Sequence, residues 1–215
     1  ANDLFLDIGC NWGRWSIAAA KKGFNVIGID PSLEAIIAAK EVASSFNVSI
    51  NFLVADARKL PFCYDTFDTV FSYSVLQHFS KEDVKETLFE IANVSKPKSN
   101  ILIQMPNKFG IRCIYQQFKR GFKPPKDFDV RYWTLPELKK TFKSHLDSAN
   151  IKVDNFFGLG IQKSDLDLMP FKNKVVIYCA EFFRYLSQII FPLKYVADSV
   201  YIESIRNNKD NNKTL

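Results

Sequence analysis

Leu6-Asp7-Ile8-Gly9-Cys10-Asn11-Trp12-Gly13-Arg14-Trp15, followed by Val26-Ile27-Gly28-Ile29-Asp30, decides the reading of this chain. Leu4, Phe5, Leu6 and Ile8 make an apolar strand that runs into a turn with glycines at 9 and 13. A helix then opens toward Ser16-Ile17-Ala18-Ala19-Ala20. Glycine lets the backbone take positive φ and lets a ligand come close. A strand, a glycine-rich turn and a helix N-terminus form the nucleotide-binding corner of a doubly wound α/β domain. Asp30 ends the next strand, where a carboxylate can accept hydrogen bonds from a ribose diol.

The turn excludes the usual phosphate cradles. G-x-G-x-x-G counted from Gly9 would need glycines at 11 and 14, and the chain has Asn11 and Arg14. A P-loop would need a Lys followed by Ser or Thr, and neither stands where that requires. Asp7 would face a phosphate with like charge. An ammonium and a sulfonium suit that carboxylate, and S-adenosylmethionine (SAM) carries both and no phosphate.

Residues 3–105 resemble a class I, Rossmann-like, SAM-dependent methyltransferase. Asp7-x-Gly9-x-Asn11-x-Gly13 is similar to that family's D-x-G-x-G-x-G motif, with Asn11 in place of the middle glycine. Asparagine is among the non-glycine residues that best tolerate positive φ. Asp30-Pro31 resembles the acidic end of strand two, and Ala55-Asp56-Ala57 the segment that addresses adenine. Phe67 through His78 resembles strand four and its loop, and Ile91 through Ile103 the next helix and strand. The resemblance implies cofactor contacts at Asp7, Gly9, Cys10, Asn11, Gly13, Asp30, Pro31, Asp56, Ala57 and Ser72, with SAM as cofactor and S-adenosylhomocysteine as product. In that family an N-terminal helix often covers the cofactor. The chain opens directly on its first strand, so an upstream extension or another element is expected to close the pocket.

With 215 residues and a 47% hydrophobic, 24% charged composition, the chain is long and apolar enough for one packed domain. Cys10, Cys63, Cys113 and Cys179 are spread without a C-x-x-C pair, which reads as reduced thiols in a cytoplasmic protein. No signal peptide is legible. Residues 96–143 hold twelve Lys/Arg against three acids, a local charge of +9 in a chain of net +6. Such a block steers anionic partners or is a solvated face.

Strands are expected near 3–8, 24–29, 49–54, 67–73 and 99–105, alternating with helices near 12–22, 32–45 and 80–95. Alternation implies a mostly parallel sheet with helices on both faces. Residues 106–133, rich in Pro, Gly, aromatics and basic side chains, read as an insertion with one short helix near 110–119. Thr134-Leu135-Pro136-Glu137 starts a helix cleanly. Strand six is expected at 150–158, an apolar helical insertion within 162–194, and a last strand at 196–205. Resemblance makes that strand antiparallel in a seven-stranded sheet. Residues 1–205 are thus expected to form a single domain, and 206–215 a disordered tail. The stretch 175–193 falls short of a membrane span and leaves three readings: a buried cap, a homodimer interface or a helix on a bilayer surface.

In-line methyl transfer asks for alignment, and for a base when the acceptor is a hydroxyl or carbon. His78, after strand four, is the first candidate base, with a packing or capping role as its alternative. Tyr73 is the second, or an aromatic lining the methionine end of the cofactor. Trp12 and Trp15 flank Arg14 as pocket walls or as packing, and Tyr115, Arg131, Tyr132 and Trp133 could form an acceptor site. The absence of [DN]-P-P-[YF], of an acidic pair and of a Pro-Cys loop argues against amine methylation of DNA bases, a Mg²⁺–catechol mechanism and C5-pyrimidine methylation. The expected function is metal-independent methylation of a small-molecule or lipid-linked, anionic acceptor, with peripheral membrane contact. An RNA methyltransferase using the basic segment, and a non-catalytic SAM-binding module, are the other readings.

Overall fold

The structure is a computed structural model and describes residues 3–157, 166 and 169–206. Seven strands form one sheet: β1 (Leu4–Ile8), β2 (Asn25–Asp30), β3 (Asn51–Val54), β4 (Phe67–Ser72), β5 (Ser95–Pro106), β6 (Asn150–Asn155) and β7 (Ser199–Ile205). Their order is β3-β2-β1-β4-β5-β7-β6. β1 to β5 are parallel, and β7 lies antiparallel between β5 and β6. This is the doubly wound α/β sheet that the alternating pattern predicts. β5 begins earlier than expected: Ser95 pairs with Phe67 before a register shift, and Lys98 takes φ 65° in between.

Local chemistry sets the helix starts. α1 (Arg14–Lys21) begins at Gly13, in the left-handed region, and α2 (Leu33–Ser45) at Ser32, whose hydroxyl accepts the Ala35 N–H. α3 (Lys81–Val94) and α5 (Leu135–Leu146) each begin with a capping box, Ser80 with Asp83 and Thr134 with Glu137. α4 (Ile111–Lys119) follows β5, and α6 (Phe171–Ile189) precedes a 3-10 turn at Phe191–Val196.

The helices cover both faces. On one, Leu6, Ile8, Val70, Ile101 and Ile103 pack with Val84, Leu88 and Ile91 of α3 and Leu138 and Phe142 of α5. On the other, Ile17 of α1 and Ile36 and Ala39 of α2 meet Cys10 and Phe52. Each fully buried Leu or Ile contributes about 1.5–3 kcal/mol, so this packing fixes the strand ends where the candidate residues sit.

α6 is less buried than its composition suggests. Ile177, Ala180 and Ser187 face inward, while Phe171, Tyr178, Phe182 and Tyr185 are exposed. No described helix is long and apolar enough to cross a membrane. Arg206, assigned to the tail, is buried and donates to Asp65 Oδ1 at 2.5 Å. Residues 207–215, and 158–165 with 167–168 of the second insertion, lie outside the described residues. All four cysteines are unpaired.

Candidate active site

Hydrogen bonds at the C-terminal ends of β1 and β2 shape the glycine turn. Gly9 and Cys10 both donate their N–H to Ile29 O, at 2.8 and 2.9 Å. Gly9 has φ 72°, and a Cβ there would lie 2.2 Å from Val75 Cγ2. Asn11 takes φ 48°, the conformation expected of the residue that replaces a glycine. Its N–H donates to Asp30 Oδ2 and the Ser32 N–H to Asp30 Oδ1, both at 3.0 Å. Pro31 is exposed between them.

Asp7 lies beneath this turn. Its carboxylate is buried and accepts the Ser16 hydroxyl at 2.6 Å. Burial pushes its pKa up to about 6, partly offset by that hydrogen bond. The Cys10 thiol is pushed up as well, by burial first and then by Asp7 and Asp30, so it is a neutral packing group.

The remaining predicted cofactor residues divide. Asp56, after β3, receives the Arg58 guanidinium at 2.6–3.1 Å, which holds its carboxyl below the usual range. That fork competes with any adenine amino group for the carboxylate. Ala57 is buried in the main core. Ser72 Oγ donates to Ile8 O at 3.2 Å, so its hydroxyl joins β4 to β1.

A cavity of about 700 Å³ adjoins the end of β4, lined among others by Tyr73, Gln104, Arg112, Arg120, Tyr132 and Asp198. Tyr73 packs on Trp15 and Tyr201, ring centroids 5.2 and 6.1 Å apart, and its hydroxyl lies 3.5 Å from Asp154 Oδ2. Asp154 also accepts the Ser199 hydroxyl at 2.7 Å, and its pKa is raised by burial. Asp198 is 2% exposed; its Oδ1 accepts the Arg112 and Cys113 N–H groups at 2.6 and 3.1 Å. Its Oδ2 is buried without a hydrogen-bond partner, and so is Arg120 Nε across the same cavity. Burial raises the Asp198 pKa.

His78 does not line the cavity. Its Nδ1 lies 2.7 Å from Phe128 O, its Nε2 3.1 Å from Gln77 Nε2, and its ring stacks on Phe128 at 4.0 Å. With Nδ1 donating and Nε2 accepting, neither nitrogen is open to an acceptor; desolvation lowers the pKa and keeps the ring neutral. The geometry corrects the expected base to a clasp on residues 127–131. Arg131 completes that clasp through His78 O, at 2.6 Å.

The predicted acceptor group is also redistributed. Tyr132 lines the cavity, whereas Trp133 is core and Tyr115 is exposed. Trp15 packs on Phe71 and Tyr73, and Trp12 is exposed. Sequence reading missed Asp154 and Asp198. Their only signal is an acid beside an apolar strand, and their meeting with Tyr73 and α4 depends on where the antiparallel β7 lies. Among the described residues no three His, Cys, Asp or Glu side chains converge as metal ligands.

Residues 5–98 match the family model for a methyltransferase domain. Over 103 residues the chain is 32% identical to the ubiquinone biosynthesis O-methyltransferase of Rhizobium etli, covering 48% of this chain and 41% of that one. The chain spans less than two thirds of the length of such curated relatives. A SAM-dependent methyltransferase of Methanosarcina mazei superposes with a TM-score of 0.68 at 17% identity, covering 96% of this chain and 93% of that one. Magnesium protoporphyrin IX methyltransferase of Synechocystis PCC 6803, solved with bound SAH, gives 0.65 at 16% identity, covering 96% and 75%. Residues 5–98 thus match a methyltransferase domain, and the motif order and the sheet topology agree with that match.

Proposed function

We propose that this protein is a SAM-dependent methyltransferase acting on a small-molecule or lipid-linked acceptor seated in the cavity between β4, α4 and β7. The observation that carries this is the clamped turn, with Asn11 N–H on Asp30 beside a buried Asp7; a separate cavity, lined by Tyr73, lies past the end of β4. The donor set fits the cofactor. Carboxylates and backbone amides gather at the turn with no lysine among them, which suits a cationic amino-acid end and a ribose diol and opposes a phosphate.

Asp7, Gly9, Cys10, Asn11 and Gly13 would hold the amino-acid end, Asp30 and Pro31 the ribose, and Asp56 and Ala57 the adenine. When bound, SAM supplies an electrophilic methyl group on a sulfonium. The chain's task is to orient an acceptor atom toward that methyl and exclude water. Tyr73, braced by Trp15 and Tyr201, lines the cavity. Asp198, which borders the cavity and whose raised pKa favours proton uptake, is the carboxylate suited to take the proton of an acceptor hydroxyl. Arg112 and Arg120 favour an acceptor that also carries an anionic group. The O-methyltransferase relative supports an oxygen acceptor.

Calorimetric titration with SAM and S-adenosylhomocysteine tests the reading, alongside Asp30→Ala. Micromolar binding that the variant loses supports it. No binding by the parent chain, as isolated and with any upstream sequence restored, overturns it.

A further inference from the structure

α4 is amphipathic in the unusual sense. Helices of globular proteins turn their apolar stripe inward. Here Arg112, Cys113, Gln116 and Arg120 border the cavity, whereas Ile111, Ile114, Tyr115 and Phe118 stand in solvent. The stripe continues past the helix: Phe122, 66% exposed, packs edge-on against Phe118, 68% exposed, with centroids 6.3 Å apart. Phe109, before the helix, is exposed too. Exposed Lys108, Lys123 and Lys126 neighbour these rings along the chain, while Lys119 borders the cavity, and the segment 96–143 to which they belong carries a charge of +9.

We infer that α4 and the following residues to Lys126 dock this protein onto an anionic lipid surface, with Tyr115, Phe118 and Phe122 entering the interface and the lysines meeting the headgroups. Charge complementarity selects that occupant. A helix lying in the plane of a bilayer shows an apolar face flanked by Lys or Arg, and each lysine near an anionic surface strengthens binding about fivefold. A second copy of the chain would set the same lysines against one another. The placement also gives the surface a purpose, because the polar side of α4 is a wall of the cavity. A docked chain would hold its cavity directly beneath the headgroups, where the head of a lipid-linked molecule could enter while its tail stays in the bilayer. Docking itself stands independently of the methyl-transfer reading.

Sedimentation with vesicles of phosphatidylcholine, alone or mixed with phosphatidylglycerol, tests the inference on the full chain. Binding is expected to mixed vesicles at least about tenfold tighter than to neutral ones, and to weaken with salt. Phe118→Asp with Phe122→Asp should abolish it. Lys108→Glu with Lys123→Glu should weaken it more than tenfold on mixed vesicles and leave neutral vesicles unchanged. Neither pair should lower the thermal unfolding midpoint, since all four side chains are exposed. Absence of vesicle binding overturns the inference, as does binding that survives both variants. A dimer that Phe118→Asp with Phe122→Asp converts to monomer would overturn it in favour of self-association, and single-stranded RNA binding without vesicle binding in favour of nucleic acid.

Discussion

Asn11 and Asp30, 19 residues apart, are joined by a backbone N–H to carboxylate hydrogen bond of 3.0 Å, and Ser32 supplies a second to the other oxygen. One carboxylate thus fixes the glycine turn after β1 and the start of α2. Asp30→Ala removes both charge-assisted bonds, each worth about 1.5–3 kcal/mol when well formed. The half-exposed position reduces that, and a loss of about 2 kcal/mol in urea unfolding is expected. SAM affinity should fall by more than tenfold, because the turn and the ribose acceptor are lost together. Asp30→Asn should recover most of the stability and little of the affinity.

Asp7 predicts a pH dependence opposite to that of a paired surface acid. Its folded pKa of about 6 lies above its ordinary value of 3.8 because burial disfavours the charge. Between those values the folded chain binds more protons than the unfolded one, so stability falls as pH rises from about 4 to 6. Roughly two units correspond to about 3 kcal/mol as an upper figure. Asp7→Asn keeps an oxygen for the Ser16 hydroxyl and removes the buried charge. Its thermal midpoint at pH 7 should rise, the slope between pH 4 and 6 should flatten, and SAM binding should weaken.

Two glycines with positive φ separate strain from space. At Gly9 (φ 72°) a methyl group would collide with Val75 Cγ2, whereas at Gly23 (φ 91°) nothing lies within 4 Å. Gly23→Ala should cost only the backbone term, about 1–2 kcal/mol. Gly9→Ala adds a clash in a packed site and should cost at least about 3 kcal/mol. Urea unfolding of the two variants checks the ordering; equal costs would show that Val75 yields.

The sheet and the turn were legible because their determinants are local. Short apolar runs of β-branched and aromatic residues, Ser80 with Asp83, Thr134 with Glu137, and glycines at 9 and 13 each specify structure within a few residues. Asn11 could be placed at positive φ because it replaces the middle glycine of the family motif it resembles, and asparagine tolerates that conformation. The acceptor side was not legible, because Tyr73, Asp154 and Asp198 meet only after β7 inserts antiparallel between β5 and β6. His78 misled for the same reason. An imidazole after strand four looks like a base until the backbone of Phe128, 50 residues away, occupies Nδ1.

His78 should therefore behave as a structural residue. With its pKa lowered by desolvation, the ring stays neutral in the fold and is protonated more readily in the unfolded chain. Its stabilising contribution is present above the ordinary value of 6.5 and is lost as pH falls through the lower folded value. His78→Ala should destabilise by about 1–2 kcal/mol and speed proteolysis within 122–131. Methyl transfer should drop less than tenfold, with an unchanged pH profile. Loss of a general base would instead cost about 10²–10⁴.

Asp198→Asn separates positioning from proton uptake. Asn keeps an oxygen for the Arg112 and Cys113 N–H groups that tie α4 to β7, so the fold should survive with a change of about 1 kcal/mol or less. Burial raises the folded pKa of Asp198, so removing the charge should help stability most at high pH, above its folded value. Methyl transfer to a hydroxyl acceptor should fall by about 10²-fold or more, and the acid limb of the rate profile should vanish. Asp198→Ala should lose the α4 anchor as well, visible as a lower thermal midpoint. Retention of both the rate and the acid limb in Asp198→Asn would leave Tyr73, through Asp154, as the remaining proton acceptor, and Tyr73→Phe would then carry the loss.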